Sequence, residues 1–559
     1  MRVYKNLSTI FIFLFLCCDV FAAQLLSDLK ERKILLDECE QNKLHLPLDY
    51  NVQCELNLHH YNSSAARNNY SRYSAIRKRQ VRLAEFNLLH PGMGKTRFKD
   101  YHHVAKIINQ FDVVAATELI PLVVDDQENN DAVMAFIKNT PKQIQSLEKE
   151  MNKLKISIEQ STRGTVTKRR TLKLLEKKVS QLRSDLKSAA GLFREPGYLK
   201  ILHALHKLPQ GKEWALILSP RGEGSSVTPT PELVGYFYRS SLVKPKVNNY
   251  CRRIRRYGRA APIACIVNMD QADMGINKKD VFSRRPFLAE FISGKFSFTL
   301  ITSHILFDEP DDPRLQQQIL RKAFNVSDYR VLGTGASKDK YARFAEVKMT
   351  LDFVRRNLLN SPGQKDIIFM GDLNLELDNQ FWPNVLNSWP DSQIYIAEET
   401  SLSTSRYLSN GEETFAKSSN YDHFIFNPKE TDECLHPKSH KLNGGVFNFV
   451  SGKIAQSLNQ TYQVRNSYGR KYKEIIRKFV SPYKNGSSPI LTIGSKSVSY
   501  GKYRMSSEGI VIDNIANRDY IEKFAERILD SQLRAESYYS YFENLISDHY
   551  PIYMNCRTY

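Results

Sequence analysis

Glu118, His304, Asp372-Leu373-Asn374, Tyr421-Asp422 and Ser547-Asp548-His549 stand far apart in the chain, yet their settings are alike. All but Glu118 sit in, or just after, a short run of β-branched or aromatic residues, and Glu118 follows such a run. Carboxylates, two histidines and an Asn gathered at strand ends are what metal-assisted hydrolysis of a phosphodiester needs: charge neutralisation, an activated water and a proton for the leaving oxygen.

Each residue type has its part in that chemistry. Glu118 closes an apolar strand, where a carboxylate is costly unless it binds something. With Asn87, Asp372 and Asp548 it makes an oxygen-donor set suited to a hard cation such as Mg²⁺ or Ca²⁺ better than to zinc. Gly371-Asp372-Leu373-Asn374 follows the strand Ile367-Ile368-Phe369-Met370. Side chains alternate on an extended chain, so Asp372 and Asn374 are expected on one face, aimed at one phosphate. His304 follows Leu300-Ile301-Thr302-Ser303, and His549 follows Asp548. A histidine beside a carboxylate serves as general acid or base near neutral pH. Arg284, in Arg284-Arg285-Pro286, can grip a phosphate with two N–H groups.

The elements that position these groups alternate. Gln80 to Leu88 reads as a strand, Tyr101 to Phe111 as a helix, and Asp112 to Ala116 as a buried strand leading to Glu118. Further strands are expected at Trp214–Leu218, Leu233–Tyr238, Phe298–Thr302, Ile367–Met370, Phe424–Phe426 and Ile552–Met554. Helices fall at about 196–207, 313–322 and 341–359. The alternation predicts a layered α/β fold. Two segments stand apart. Ile144, Leu147, Met151, Leu154 and Ile158 are spaced 3-4-3-4, and Leu172, Leu175, Val179, Leu182 and Leu186 repeat that spacing around a turn holding Gly164. This predicts an antiparallel helical hairpin over 141–190 with Lys- and Arg-rich outer faces. Residues 428–541, with the basic run Tyr468 to Lys478, read as a late insertion.

The chain of 559 residues carries a net charge of +20, which favours a polyanionic partner, nucleic acid or an anionic membrane surface. Arg2, Lys5, the apolar run Leu7 to Cys18 and Val20-Phe21-Ala22 read as a signal peptide over 1–22, followed by an extension over 23–78 and the main domain over 79–559. The apolar run is short for a membrane span. Export to a periplasm or the outside is therefore expected. Six cysteines remain beyond the leader; among fifteen possible pairings, proximity in sequence suggests Cys39–Cys54 and Cys251–Cys265, which leaves Cys434–Cys556.

The chain resembles the endonuclease/exonuclease/phosphatase superfamily, and within it the deoxyribonuclease I branch. Six blocks in family order carry the resemblance: Phe86-Asn87, Ala116-Thr117-Glu118, Glu232 through Tyr238-Arg239, Phe282-Ser283-Arg284-Arg285-Pro286 leading to His304, Gly371-Asp372-Leu373-Asn374, and Tyr421-Asp422 with Ser547-Asp548-His549. The resemblance implies a four-layered α/β sandwich of the deoxyribonuclease I type, two packed mixed sheets flanked by helices. It implies Glu118 and Asn87 as metal ligands with Asp548 completing or adjoining the site, and His304 and His549 as the catalytic histidines. Glu232 and Asp422 would orient them, Asp372 and Asn374 would position phosphate and water, and Arg284 would contact phosphate. Mg²⁺ is the expected cofactor, with Mn²⁺ or Ca²⁺ as alternatives. Two departures stand out: Tyr421-Asp422-His423 replaces the usual Tyr-Asp-Arg, and Thr230 stands where deoxyribonuclease I carries a groove-inserting tyrosine.

Three functions compete on this reading. The first is an exported, metal-dependent endonuclease with little sequence preference, acting on double-stranded DNA. The second is a secreted sphingomyelinase-like or phosphoinositide phosphatase-like enzyme on an anionic membrane, against which the Arg284 block speaks. The third is a non-enzymatic scaffold that docks a protein partner through the 141–190 hairpin, against which the complete residue set speaks.

Overall fold

The computed structural model describes residues 21–33, 80–120, 126–306, 312–450 and 542–559, each with short omissions, and two strands between 503 and 512. The leader up to residue 20, Cys39 and Cys54, most of the extension 23–78, Gly164, Thr230 and the basic run 468–478 lie outside the described residues.

The first sheet is built around two parallel strands, β1 (Gln80–Asn87) and β2 (Val113–Leu119). A parallel pair needs a crossover, and helix α1 (Tyr101–Ile108) supplies it. After β2 come the hairpin helices α2 (Asp126–Glu159) and α3 (Thr165–Ala189), then α4 (Gly197–His206). Strands β3 (Trp214–Leu218) and β4 (Leu233–Arg239) complete one side, with β4 antiparallel to both β2 and β3.

The second sheet repeats the plan. β5 (Lys244–Lys246) and β6 (Ala264–Ile266) flank β7 (Phe287–Ser293), with α5 (Asn249–Ile254) between them in sequence. β7 pairs with β8 (Phe296–His304), and β8 runs parallel to β9 (Asp366–Asp372) through the crossover helices α6 (Pro313–Phe324) and α7 (Lys338–Phe353). After α8 (Trp382–Leu386) and β10 (Gln393–Tyr395), a two-residue ribbon pairs β11 (Arg406–Tyr407) with β12 (Glu413–Thr414). β13 (Asp422–Phe426) then lies antiparallel beside β9. β14 (Gly444–Val446), within the stretch 428–541, returns to the first sheet. A second ribbon joins β15 (Tyr503–Ser506) to β16 (Gly509–Ile512), and β17 (Ile552–Arg557) closes the chain between β14 and β1. The strand orders are β14-β17-β1-β2-β4-β3 and β10-β13-β9-β8-β7-β5.

Both faces of each sheet are covered, which is why the central strands read as near-continuous apolar runs. Leu83, Ala115, Ile217 and Tyr236 of the first sheet share one core with Leu300, Ile368, Met370 and Phe424 of the second. Buried Tyr236 crosses between the sheets, its hydroxyl donating to Phe287 O at 2.7 Å. On the outer side of the first sheet, Ala84, Phe86, Val114 and Ala116 pack against Val104 and Ile108 of α1 and Ile201 and Leu205 of α4. Phe344, Val347 and Leu351 of α7 join the core from the second sheet's helical layer. The result is the expected four-layered sandwich. Disulfides form at Cys251–Cys265, as sequence proximity suggests, and at Cys434–Cys556, the pair left over on that reading.

In the hairpin, Ile144, Leu147 and Met151 of α2 meet Val179 and Leu182 of α3, and α2 begins at Asp126, fifteen residues before the start expected from sequence. Its root packs Val133, Ile137, Leu186, Ala189 and Phe193 against Ala22 and Leu29.

Candidate active site

The topology explains why residues so far apart in sequence meet. The carboxyl ends of β1, β2, β8 and β9 carry Asn87, Glu118, His304 and Asp372. Their antiparallel neighbours begin where these strands end, so Glu232 before β4, Asp422 opening β13 and His549 before β17 arrive at the same edge. Pairing register places Asp372 opposite both His304 and Asp422.

Asn87 sits between the two sheets. Its Nδ2 donates to Glu118 Oε1 and to Asp372 Oδ2, each at 3.0 Å, while its Oδ1 accepts from Leu89 N at 2.9 Å. Ser547 Oγ donates to Asn87 O at 2.6 Å and accepts from His549 N at 3.0 Å, tying the approach to β17 to the end of β1.

The two histidines are held alike. His549 Nδ1 lies 2.8 Å from Asp422 Oδ2, and His304 Nδ1 lies 3.1 Å from Glu232 Oε2. Their other ring nitrogens converge: His549 Nε2 and His304 Nε2 each lie 3.6 Å from Asp372 Oδ2. His304 Nε2 is also 3.7 Å from Glu118 Oε1. Arg284 reaches this group from the side. Its Nη2 bonds Glu232 Oε1, and its Nη1 is 2.9 Å from His304 Nδ1.

Electrostatics follow from crowding in a dry edge. Burial works against a charged His549, yet Asp422 and Asp372 outweigh it and raise its pKa well above the ordinary value. Burial alone would raise Asp422, but the His549 cation and its hydrogen bond bring it below the usual range. The same balance lowers Glu118, where burial is overcome by His304 and His90, and Glu232, where it is overcome by His304, His90 and Arg284. Asp372 goes the other way: burial, with Asp422 adding to it, raises its pKa against the pull of both histidines.

One expectation is corrected. Asn374 does not continue an extended stretch with Asp372. β9 ends at Asp372, Asn374 adopts a left-handed backbone with φ 51°, and its Nδ2 donates to Ile305 O at 2.8 Å. Its own N–H turns back to Asp372 Oδ1 at 3.1 Å, so the two side chains lie on a tight turn. Arg343 fixes that turn by donating to Asn374 O at 2.7 Å. Asp548 adjoins His549, and its buried Oδ1 accepts no hydrogen bond; among the described hydrogen bonds its side chain meets neither Glu118 nor Asn87. His423, at the departure from Tyr-Asp-Arg, is buried away from Asp422, with Nε2 2.7 Å from Leu375 O.

Two residues were not singled out from sequence. His90, on a left-handed turn, lies with Nδ1 3.2 Å from Glu118 Oε2 and Nε2 3.0 Å from Glu232 Oε1, and these carboxylates raise its pKa against burial. Nothing in the sequence marks it. Glu85 is fully buried behind Asp422, to which it is hydrogen bonded; burial first, then Asp422 and Asp372, push its pKa well above the usual range. It precedes Asn87 by two residues, so strand alternation puts both on one face, a signal that was legible.

Asp372, Asp422 and His549 form the one cluster among the described residues whose ligand atoms are all close enough to hold a metal ion. Glu118, Asp372, Asp422 and Glu232 bring their carboxylate oxygens to this edge, and Glu118 Oε2, 3.2 Å from His90 Nδ1, is buried without a hydrogen bond. An oxygen-rich set of this kind fits a hard divalent cation.

No model of a known protein family matches the chain, and no curated protein matches it in sequence. Solved structures do align with it. An endonuclease/exonuclease/phosphatase family protein from Leptotrichia buccalis is 11% identical over 67% of this chain and 95% of its own, at a TM-score of 0.30. One from Bacteroides vulgatus is 10% identical over 63% of this chain and 88% of its own, at 0.28. TDP2 from C. elegans is 10% identical over 71% and 82%, at 0.25. Superpositions this loose carry no weight for function. On its own strand order and layering, the chain has a four-layered α/β sandwich of the deoxyribonuclease I type.

Proposed function

We propose that the protein is an exported, divalent-metal-dependent phosphodiesterase that cuts double-stranded DNA with little sequence preference. The observation that carries this reading is the convergence of His304 Nε2 and His549 Nε2, each 3.6 Å from Asp372 Oδ2, with each ring held at Nδ1 by its own carboxylate. A phosphate entering between the two rings meets one base and one acid.

Glu232, held ionised, accepts a hydrogen bond from His304 Nδ1–H and so leaves Nε2 as the acceptor for a proton from the attacking water. His549, kept protonated by Asp422 and Asp372, donates from Nε2 to the leaving oxygen. Asn87 and Asn374 flank Asp372 and orient it. Arg284 is braced by Glu232 beside His304, where it faces phosphate charge. Glu118 and Asn87, joined at 3.0 Å, would hold a divalent cation, Mg²⁺ first, with Asp372 hydrogen bonded to the same Asn87 and Asp548 farther along beside His549. When bound it would polarise a phosphoryl oxygen and neutralise charge there.

The net charge of +20 favours a polyanionic substrate, and the two disulfides suit an oxidising compartment. No described helix is long and apolar enough to cross a membrane. Purified protein incubated with Mg²⁺ and, in parallel, with duplex oligonucleotide, sphingomyelin and phosphoinositide tests the reading. Metal-dependent cleavage confined to DNA is expected. Headgroup release with intact DNA would overturn the choice of substrate.

A further inference from the structure

The hairpin is segregated by charge along its length. Between Asp126 and Glu148, four carboxylates stand against two lysines. Between Lys149 and Lys178, ten Lys or Arg stand against only Glu150, Glu159 and Glu176. A helix that is merely solvated mixes signs along its exposed face. Here the mixed half is the root, and the distal half is a cationic rod.

The cations are not spent on holding the rod together. Its seam is apolar, closed by Ile144, Leu147, Met151, Val179 and Leu182. The cross-helix polar contacts use Lys155 with Glu176, Lys168 with Ser157, and Arg183 with Glu148. Arg169, Arg170, Lys173, Lys177 and Lys178 are exposed and enter no ion pair among the described residues. With 34 residues, α2 extends about 51 Å at ~1.5 Å per residue. Its cationic part, Lys149–Glu159, with Thr165–Lys178 of α3 beside it, spans about 16–21 Å, roughly 5–6 base pairs of duplex at ~3.4 Å each. In the chain, the rod begins eight residues after Glu118.

We propose that the distal half of the hairpin is a binding arm for the phosphate backbone of duplex DNA, which holds a long substrate while the strand-end site cuts it. The proposal rests on the nuclease reading for its purpose but not for its test. Charge complementarity without base-reading groups predicts binding that is sequence-independent and strongly salt-sensitive.

The test compares the full-length mature protein with a variant carrying Arg169→Gln, Arg170→Gln, Lys173→Gln, Lys177→Gln and Lys178→Gln. Duplex binding is measured in EDTA by fluorescence anisotropy over a salt series, and bis(p-nitrophenyl) phosphate hydrolysis is measured with Mg²⁺. The variant should bind a 30-bp duplex at least about tenfold more weakly, with the log–log salt slope reduced by ~0.9 for each phosphate that is no longer neutralised. Turnover of the small diester should not change. The pair Arg169→Gln and Arg170→Gln gives the same test with a smaller shift should the fivefold variant fail to fold. Equal affinity and slope would overturn the proposal, as would weaker binding to phosphatidylserine vesicles with duplex binding intact. Hairpin-dependent duplex binding without hydrolysis of either substrate would sustain the arm and refute the nuclease reading.

Discussion

Asp422 and Glu232 decide what the two histidines do. Asp422 holds His549 from 2.8 Å and, with Asp372, favours its protonated form. Asp422→Asn removes that support, so the His549 pKa falls toward its ordinary value. An acid works only while protonated, so the alkaline limb of the pH–rate profile should move to lower pH, with kcat reduced roughly 10²-fold. An unmoved alkaline limb would remove His549 from the acid's role. Asp366 is a second titrating residue, at the far end of β9 from Asp372. Burial, with Glu433, Glu430 and Asp432 nearby, raises its pKa to about 8. A raised folded pKa gives stability that is present in acid and lost as pH rises from about 4 through 8. Asp366→Asn should therefore stabilise the protein at pH 9 by about 1–3 kcal/mol, after discounting for partial exposure, and change little below pH 4. Denaturant titrations at the two pH values check this. Much of this scale was legible. Strand-end position singled out Glu118, His304, Asp372 and His549, because a polar residue closing an apolar run is costly without a task. Asn374's turn was not, since its left-handed backbone depends on Arg343 and Ile305, which are distant in sequence.

The elements follow patterns that sequence records well when they are long. β8, β9 and β13 were legible from their apolar runs, and the hairpin from its 3-4 spacing. β5, β6, β10 and β14 have three residues each, too few for a period to show, and are held by register with neighbours rather than by their own sequence. Gly371 shows how closely two strands must approach to bring His304 opposite Asp372. A Cβ added there would lie 1.8 Å from Ser303 O on the neighbouring strand. Since neither backbone can yield without breaking the β8–β9 ladder, Gly371→Ala should destabilise the protein by about 3 kcal/mol or more. A chemical-denaturation midpoint equal to that of the parent would refute this close packing.

At the scale of the molecule, one plan is used twice. Each sheet has a central parallel pair whose carboxyl ends carry polar residues, and antiparallel neighbours whose amino ends bring partners for them. Packing the sheets face to face then unites Asn87 of one with Asp372 of the other at 3.0 Å. The disulfide Cys434–Cys556 anchors β17, the strand that His549 precedes, and the cationic hairpin extends from the end of β2. The layer order was legible from the alternation of strands and helices, but the meeting of the two sheets at one edge is a property of the assembled sandwich. The most direct test of the account is the rate at which purified protein nicks supercoiled plasmid with Mg²⁺, compared with His304→Ala and His549→Ala. The account predicts nicking that EDTA abolishes and that each substitution lowers by about 10² to 10⁴-fold, with the melting transition retained. Folded variants that nick as fast as the parent would contradict it.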